Sequence, residues 1–454
     1  MHRSCDEFTR ASAARSGRAT AGDGLPAIEP GMPLPAGTGM TRRSLLLGGA
    51  GLALTIFGGR ALAPQAFAEG LDAAAAAAPD APVIVSVFLS GGVDSIALLA
   101  PVEDPRYTRA LRPSLFVEPA ATLPASGTTA MRWHPSAAAF KELHDRGRLT
   151  VFPAIGYEHA NGSHFTSRHF YEVGATDPDS ATGWLGRYLD IVGEDHNPVQ
   201  GFTVGPTLSP SLASARVAVA AAEAPQAYDF VSPGIEGGPF KDELVRGHAA
   251  IGRLTSTDPV LGPARAMHRD AADLRAALSA PLPGTSVSYP AGRLGQRLRD
   301  VVRLLAAGLP IRCATVDATA DFDTHAGQRD TFTEQIAEAG AALAAFQADL
   351  ESRPGLADRV LTIAWSEFGR RPEENGSAGT DHGAGGVGFL LGTRVRGGWV
   401  GEFPGLSRLD VEGNLLPTSD FRALYASVIE QWMGQDAAQV IPEAARFQRY
   451  ALLR

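Results

Sequence analysis

The chain has 454 residues and a formal net charge of −9 at pH 7, and hydrophobic residues make up 44% of it. This length supports one large domain or two modest ones with a sizeable buried core. The two cysteines, Cys5 and Cys313, are too few for a disulfide framework. The acidic balance gives no support for nucleic-acid binding.

The N-terminal segment has the pattern of an export signal. Arg42 and Arg43 precede an apolar run over Leu45–Gly59, and Ala66-Phe-Ala68 follows this run. Paired arginines, a moderately apolar core and an A-x-A exit site are typical of a twin-arginine signal. We therefore expect the export machinery to recognise the arginine pair and a peptidase to cleave after Ala68. The run is short for a bilayer span, which favours cleavage over a retained tether.

The rest of the chain is then the exported protein, in the periplasm or outside the cell. Residues 1–68 are assigned to the signal and its n-region, with Met1 or Met40 as the start. They carry seven Arg and four acidic residues, which gives this segment a net charge of +3. The whole chain has a net charge of −9, so removal of the segment leaves a protein with a net charge of −12. Residues 69–81 are a low-complexity spacer, and residues 82–454 are expected to form a single domain.

Strand and helix patterns alternate along this domain. The predicted strands are short apolar runs, as in sheets buried on both faces: Pro82–Leu89, Leu149–Ile155, Gly201–Val204, Pro310–Val316, Val360–Trp365 and Val387–Leu391. The predicted helices are Ala181–Val192, Pro263–Ala280, Gly292–Ala307, Arg329–Ser352 and Ser419–Trp432, the last with Ser or Thr as its N-cap. Residues 206–260 have no clear period and predict an irregular excursion or lid. The alternation predicts an α/β fold with a central, mainly parallel sheet flanked by helices on both faces.

Polar residues of unusual type follow the predicted strands in four loops. These loops carry Asp94; Ser163 with His164; Asp321 and Asp323 with His325; and Asp381 with His382. The carboxyl ends of parallel strands meet at one edge of a sheet, so these side chains can converge although they are distant in sequence. Carboxylate and imidazole ligands favour a divalent metal such as Zn, Mn, Fe, Mg or Ca over a metal that prefers thiolate ligands. The four loops therefore predict a metal-binding site at the sheet edge.

The first loop, Ser90-Gly-Gly-Val-Asp-Ser95, has two interpretations. As a Gly-rich turn after a strand it permits positive φ and delivers Asp94 to the sheet edge. The same hexapeptide resembles the pyrophosphate-binding loop of ATP pyrophosphatases, in which backbone N–H groups cradle phosphates while a substrate is adenylated. An exported protein meets little ATP, and that activity leaves the Asp-His loops downstream unexplained. We therefore rank this interpretation third.

Seven motifs follow one another along nearly all of the mature chain. They are Leu89-Ser-Gly-Gly-Val-Asp94, Tyr107 with Leu111-Arg-Pro113, Ser163-His-Phe165, Phe322-Asp-Thr-His325, Ser366-Glu-Phe-Gly-Arg370, Gly379-Thr-Asp-His-Gly383 and Thr418-Ser-Asp-Phe-Arg422. In type and order they resemble the motifs of domain-of-unknown-function family 1501, whose members typically carry twin-arginine signals. That family is grouped with the alkaline phosphatase and sulfatase superfamily. The resemblance implies an alkaline phosphatase-like fold, with a mainly parallel sheet between helices.

The resemblance also implies a set of metal ligands. These are Asp94, Asp323 with His325, and Asp381 with His382. The Asp-x-x-x-His spacing of the superfamily would select Asp321 instead of Asp323, whereas the family's own Gly-Phe-Asp-Thr-His form favours Asp323. The identity of the divalent metal stays open.

A mechanism follows from the same resemblance. Ser163 matches the superfamily's nucleophile, in a loop similar to the Asn-Ser-containing turn of cofactor-independent phosphoglycerate mutases, and Ser95 is a poorer candidate. Arg370 or Arg371 would grip the oxyanion. The implied reaction is metal-assisted hydrolysis of a phosphate or sulfate ester, small or polymeric, through a covalent intermediate on the serine.

The pattern departs from the superfamily at one ligand. Two-metal members have a further His after the Asp-His-Gly pair, whereas no His follows His382 here. Either His164, His159 or Glu367 would then complete that site, or one metal site would be absent. The Cys-x-Pro-x-Arg signature that provides the formylglycine of sulfatases is also missing from the sequence. The alternative to an enzyme is a noncatalytic ligand-binding protein on the same fold.

Overall fold

The structure is a computed structural model that describes residues 56–57, 81–194, 197, 199–225, 238–258, 261, 265, 278, 281–318 and 321–454. The predicted signal and spacer lie outside these residues, except for positions 56, 57 and 81, and so does most of the predicted helix Pro263–Ala280. The chain divides into two compact units. The first takes residues 1–79, 176–283 and 307–313, and the second takes residues 80–175, 284–306 and 314–454.

Five strands form the central sheet of the second unit. They are β1 (Val83–Leu89), β2 (Leu149–Gly156), β3 (Cys313–Ala318), β4 (Val360–Trp365) and β5 (Gly386–Leu391). Their order across the sheet is β3-β1-β4-β5-β2. The short strands Gly398–Trp399 and Ser419–Asp420 both pair in parallel with β2. Every residue of β1, β2, β4 and β5 is buried, because both sheet faces are covered.

Strand β5 is the exception to the parallel arrangement. β1 and β4 are parallel, whereas β5 runs antiparallel to both β4 and β2. The chain returns from β4 to β5 without a crossover helix, through a two-stranded ribbon of Arg370–Glu374 and Thr380–His382, and such a short return places the next strand antiparallel. The beginning of β5 therefore lies at the same edge as the ends of β1, β2 and β4. The sequence predicted a simple loop where the ribbon stands.

The helices of the second unit flank this sheet. They are Ser95–Leu98, Ala138–Asp145, α1 (His164–Val173), Arg293–Ala306, α2 (Gln328–Glu351) and Phe421–Gln431. A small antiparallel sheet of Leu99–Ala100, Leu123–Pro124 and Arg132–Trp133 completes the unit. The predicted α/β architecture, a central sheet flanked by helices, is confirmed. The predicted N-cap of the last helix is wrong, because the carboxylate of Asp420 accepts the N–H of Arg422 and takes that place.

The described part of the first unit contains three short strands. Gly201–Val204 pairs in parallel with Val219–Ala222, and Ile56–Phe57 pairs antiparallel with the latter. Its helices are Trp184–Val192 and Pro239–Gly252. The irregular excursion predicted for residues 206–260 is therefore wrong in its described part, where the apolar run at 219–222 forms a strand and Pro239 opens a helix. Within the described ranges, no helix combines the length and apolar character that a membrane crossing needs.

Candidate metal centre

The polar loops of the second unit come together at the sheet edge where β1, β2 and β4 end and β5 begins. Gly91 shows how closely they pack. Its φ is 107°, and a Cβ at this position would lie 2.3 Å from the backbone nitrogen of Asp323. A residue with a side chain would meet both strain and a clash there, so the approach of the two loops depends on this glycine.

Three histidines surround the carboxylate of Asp323. The Nε2 atoms of His325 and His382 lie 2.9 Å and 3.1 Å from Oδ1, and Nε2 of His164 lies 3.4 Å from Oδ2. The Nε2 atoms of His325 and His382 are themselves 2.9 Å apart. One ligand atom each from His164, Asp323 and His382 lie within 4.8 Å of one another. These four residues are named the Asp323 cluster below.

Each of the three imidazoles has an acceptor at its other nitrogen. Nδ1 of His164 lies 2.7 Å from Glu367 Oε1, Nδ1 of His325 lies 3.2 Å from Asp381 Oδ1, and Nδ1 of His382 lies 2.7 Å from the carbonyl oxygen of Gly162. Because carboxylates and carbonyls only accept, each Nδ1 carries a proton, and in a neutral ring the Nε2 then keeps its lone pair. In such rings the three lone pairs are on the side of Asp323, and Nε2 of His325 also lies 3.5 Å from Arg370 Nη1.

This arrangement fits a divalent cation. In neutral rings two lone pairs would face each other at 2.9 Å between His325 and His382, which a cation held by both rings relieves. Histidine ligands commonly donate their second N–H to a carboxylate or a backbone carbonyl, which fixes the ring and makes it a better ligand. Three imidazoles and one carboxylate suit Zn, Mn or Fe more than the oxygen-rich sites of Ca.

The two buried acids of the site are held as anions. Burial alone would raise the pKa of Asp323, but its contacts with the rings of His164, His325 and His382 and the positive charge of Arg370 lower it below its usual range. Burial likewise opposes ionisation of Glu367, and its contacts with His164 and the N–H of Gly91 lower its pKa instead. Both groups are therefore acceptors at neutral pH.

Glu367 also ties the first loop to the end of β4. The N–H of Gly91 donates to both carboxylate oxygens of Glu367, at 2.9 and 3.1 Å. The N–H groups of Gly92 and Val93 donate to Ser366 Oγ, at 3.1 and 3.2 Å. The successive amides of the Gly-rich loop are thus engaged by side chains that follow β4.

Arg370 joins the loops rather than facing a ligand. It is 1% exposed, and its guanidinium donates to Asp323 and to four carbonyl oxygens, those of Gly91, Gly92, Phe322 and Thr380. With its donors directed at these protein acceptors, we assign it a structural role in place of the oxyanion grip expected from the sequence. The neighbouring Arg371 is more exposed and donates to Asn414 Oδ1 at 3.1 Å.

Asp94 lies outside the Asp323 cluster. Its carboxylate forms a two-pronged ion pair with Arg112, at 2.8 and 3.2 Å, and both side chains are buried. Gln328 Nε2 donates to it at 2.6 Å and the N–H of Ala97 at 3.0 Å. The structure thus engages this carboxylate, which the sequence suggested as a metal ligand, with protein donors.

The remaining predicted residues have different surroundings. Oδ1 of Asp381 accepts from Nδ1 of His325 and from Asn375 Nδ2, so it fixes the orientation of that imidazole. The exposed Asp321 accepts the N–H of Asp323 and shapes the turn. His159 is exposed to solvent. Sequence reasoning missed Asn375, although its place in the loop before the Asp-His-Gly motif was a signal.

Ser163 is next to the cluster in the chain and in space. It occupies the N-cap position of α1 but makes no capping hydrogen bond, and its buried Oγ has no hydrogen-bond partner among the described residues. The residues on either side, Gly162 and His164, contact His382 and Asp323. Ser95, the poorer candidate nucleophile, is fully buried in the short helix after Asp94.

Comparisons with known proteins match part of the chain. The family model described as “Protein of unknown function (DUF1501)” matches residues 269–444, a span that includes Asp323, His325 and His382. No curated protein matches. The PsFucS1 sulfatase from Pseudoalteromonas sp. is similar at 11% identity with a TM-score of 0.34, over 85% of this chain and 77% of its own. Ps i-CgsB, solved with k-i-k-neocarrahexaose, is similar at 11% identity with a TM-score of 0.36. This likeness covers 81% of this chain and 77% of Ps i-CgsB. At these TM-scores the likenesses support no activity.

Proposed function

We infer that the chain is an exported metal-dependent hydrolase acting on a phosphate or sulfate ester, with its metal held by the Asp323 cluster. The carrying observation is that three imidazole Nε2 atoms converge on one carboxylate while each Nδ1 is held by an acceptor. A purely structural histidine needs no such orientation of its second nitrogen. The resemblance to family 1501 and its twin-arginine pattern supports the export.

The residues around the cluster have separate tasks in this reaction. A divalent metal, when bound, polarises the ester oxygens and lowers the pKa of a nearby hydroxyl. Ser163 Oγ attacks the phosphorus or sulfur, the bond to the alcohol breaks, and the alcohol leaves with the proton that the serine loses. Water then hydrolyses the ester on the serine, which releases phosphate or sulfate and restores the hydroxyl. The N-terminus of α1, which begins at His164, favours negative charge beside this serine. Glu367 and Asp381 keep two of the imidazoles in place.

The ATP pyrophosphatase interpretation loses its physical basis. A phosphate-cradling loop needs free backbone N–H groups, whereas those of Gly91, Gly92 and Val93 donate to Glu367 and Ser366. The carboxylate of Asp94 is paired with Arg112. We therefore do not carry this activity forward.

The test combines metal analysis with an ester panel. The full chain is purified without chelator, its metal content is measured, and phosphate and sulfate esters are offered with the native protein, Ser163→Ala and His382→Ala. Turnover that is lost in both variants, with metal lost only in His382→Ala, supports the proposal. Bound metal with retained ligand and no turnover of any ester favours the noncatalytic binding protein. ATP-dependent adenylation that survives Asp323→Ala would restore the third interpretation.

A further inference from the structure

A cavity of about 330 Å³ lies in the second unit, and none of the Asp323 cluster lines it. This volume is at the lower end of the range for small-molecule sites in proteins. Its apolar wall comes from Ala97, Leu115, Phe116 and Phe332. Such a wall can pack against a flat apolar ligand. The polar groups around the wall determine which chemical class of ligand binds.

His134 offers a hydrogen-bond donor to this cavity. Its Nδ1 accepts the N–H of Ser136 at 3.1 Å, so in the neutral ring the proton is on Nε2. Burial lowers the pKa of His134 more than the charge of Asp94 raises it, which keeps the ring neutral at pH 7. The ring packs edge-on against Phe332, with centroids 5.9 Å apart, and the Nε2–H has no hydrogen-bond partner among the described residues.

The charged groups of the cavity carry a surplus of positive charge. Arg109 is paired with Glu118, and its guanidinium also lies 5.5 Å from the ring centre of Phe116. The guanidinium of Arg329 forms no ion pair within the part of the chain that the structure describes. Arg329 stands in the first turn of α2, where the helix dipole adds positive potential. One cation is thus left uncompensated at the cavity.

One residue of the cavity wall, Gln328, is held in place by its own hydrogen bonds. Both ends of its amide are used, since Nε2 donates to Asp94 Oδ2 and Oε1 accepts from Thr380 Oγ1, each at 2.6 Å. At Gln328 a ligand therefore meets a side chain that does not need to be ordered on binding, which lowers the cost of association.

We propose that this cavity binds a small organic anion, a single carboxylate on a flat apolar body. The carboxylate pairs with Arg329 and accepts the Nε2–H of His134, and the apolar body packs against Phe116 and Phe332. This site stands apart from the proposed hydrolase activity, because no member of the Asp323 cluster contributes to it.

The test is isothermal titration calorimetry of the full chain with 2-naphthoate and, as a neutral match, 2-naphthamide. We expect 2-naphthoate to bind with a Kd on the order of 0.1 mM, and the amide to bind at least roughly tenfold more weakly because it lacks the charge. Arg329→Ala and His134→Phe should each weaken naphthoate binding by roughly tenfold or more, whereas Arg329→Lys should weaken it less. Arg446→Ala, an exposed arginine away from the cavity, is the matched control.

A further variant separates this site from the metal centre. His382→Ala should bind 2-naphthoate as the native protein does, because the cavity does not include that residue. Loss of binding in His382→Ala would place the anion on the metal and overturn the proposal. Equal affinity for the acid and the amide, unchanged binding in Arg329→Ala, or no heat of binding from 2-naphthoate would overturn it as well. Thermal unfolding of each variant checks that the fold is kept.

Discussion

Nδ1 of His164 lies 2.7 Å from Glu367 Oε1, and both side chains are buried. The contact joins the first residue of α1 to the loop that follows β4. Glu367 is in turn fixed by the N–H of Gly91, so the ring of His164 has one orientation, with Nε2 on the side of Asp323. The same pattern recurs at His325 and His382 with other acceptors, so oriented imidazoles are the common feature of this sheet edge.

Removing the partner of His164 should weaken metal binding without unfolding the protein. We expect Glu367→Gln to lower metal affinity by about tenfold and Glu367→Ala by up to about 100-fold, because the ring loses its fixed orientation and part of its basicity. Competition with a chromogenic chelator measures the affinity. Glu374→Gln is the control, since that carboxylate holds the N–H groups of Ser114 and Leu115 instead. Unchanged affinity in a folded Glu367→Ala would contradict the role.

Asn375 should act through His325 in a similar way. Its Nδ2 donates to the carbonyl of His325 at 3.0 Å and to Asp381 Oδ1 at 3.1 Å, and its Oδ1 accepts the N–H of Ser377. Asn375→Ala should reduce metal affinity by roughly tenfold, because both the ligand and its acceptor lose a support. Asn414→Ala should leave the affinity as it is, because the side-chain amide of Asn414 donates to Asp410 and Glu412, in another turn. An equal loss in the two variants would show a general effect of loop damage.

The two candidate serines should behave differently. Ser163→Ala should reduce ester hydrolysis by roughly 10³-fold or more while the metal stays bound, because the nucleophile is removed and the ligands are kept. Ser95→Ala should retain turnover, since Ser95 follows Asp94, whose carboxylate is paired with Arg112, whereas Ser163 precedes His164 of the Asp323 cluster. Initial rates on the best ester of the panel and metal content per chain measure the two effects. Turnover that survives Ser163→Ala would assign the attack to water.

Asp94 should matter for stability more than for the metal. Asp94→Ala leaves the buried guanidinium of Arg112 without its carboxylate, and breaking a buried pair in this way costs about 3–5 kcal/mol. Urea unfolding measures the change in the free energy of unfolding, and metal content is determined on the folded fraction. Asp94→Asn should lose less, because the amide oxygen still accepts from Arg112. A stable Asp94→Ala that has lost its metal would instead support the ligand role expected from the sequence.

The sheet and the position of the polar loops were accessible from the sequence. Continuous apolar runs such as Val360–Trp365 predict buried strands, and the direction of parallel strands gathers the loops at one edge. The ribbon was missed because Arg370–Glu374 has no alternating apolar pattern. Its conformation depends on contacts with other loops, such as Arg370 with the carbonyl of Gly92.

The spacing of the motifs could not predict the separate roles of the acidic residues. Asp94 and Asp381 are both aspartates, and both lie in motifs that resemble those of family 1501. Asp94 is paired with Arg112, whereas Asp381 accepts a hydrogen bond from Nδ1 of His325. These two partners come from separate loops. Which acid faces a metal and which orients an imidazole depends on these distances, so only three-dimensional contacts separate Asp323 from its neighbours.

X-ray absorption at the edge of the copurified metal tests the ligand set most directly. In the full chain purified without chelator, we predict about one metal per chain, with scattering from three imidazoles and one carboxylate oxygen in its first coordination sphere. The His325→Ala protein should lose one imidazole contribution. A chain that binds no metal, or a metal whose surroundings contain no imidazole, would contradict the assignment of the Asp323 cluster.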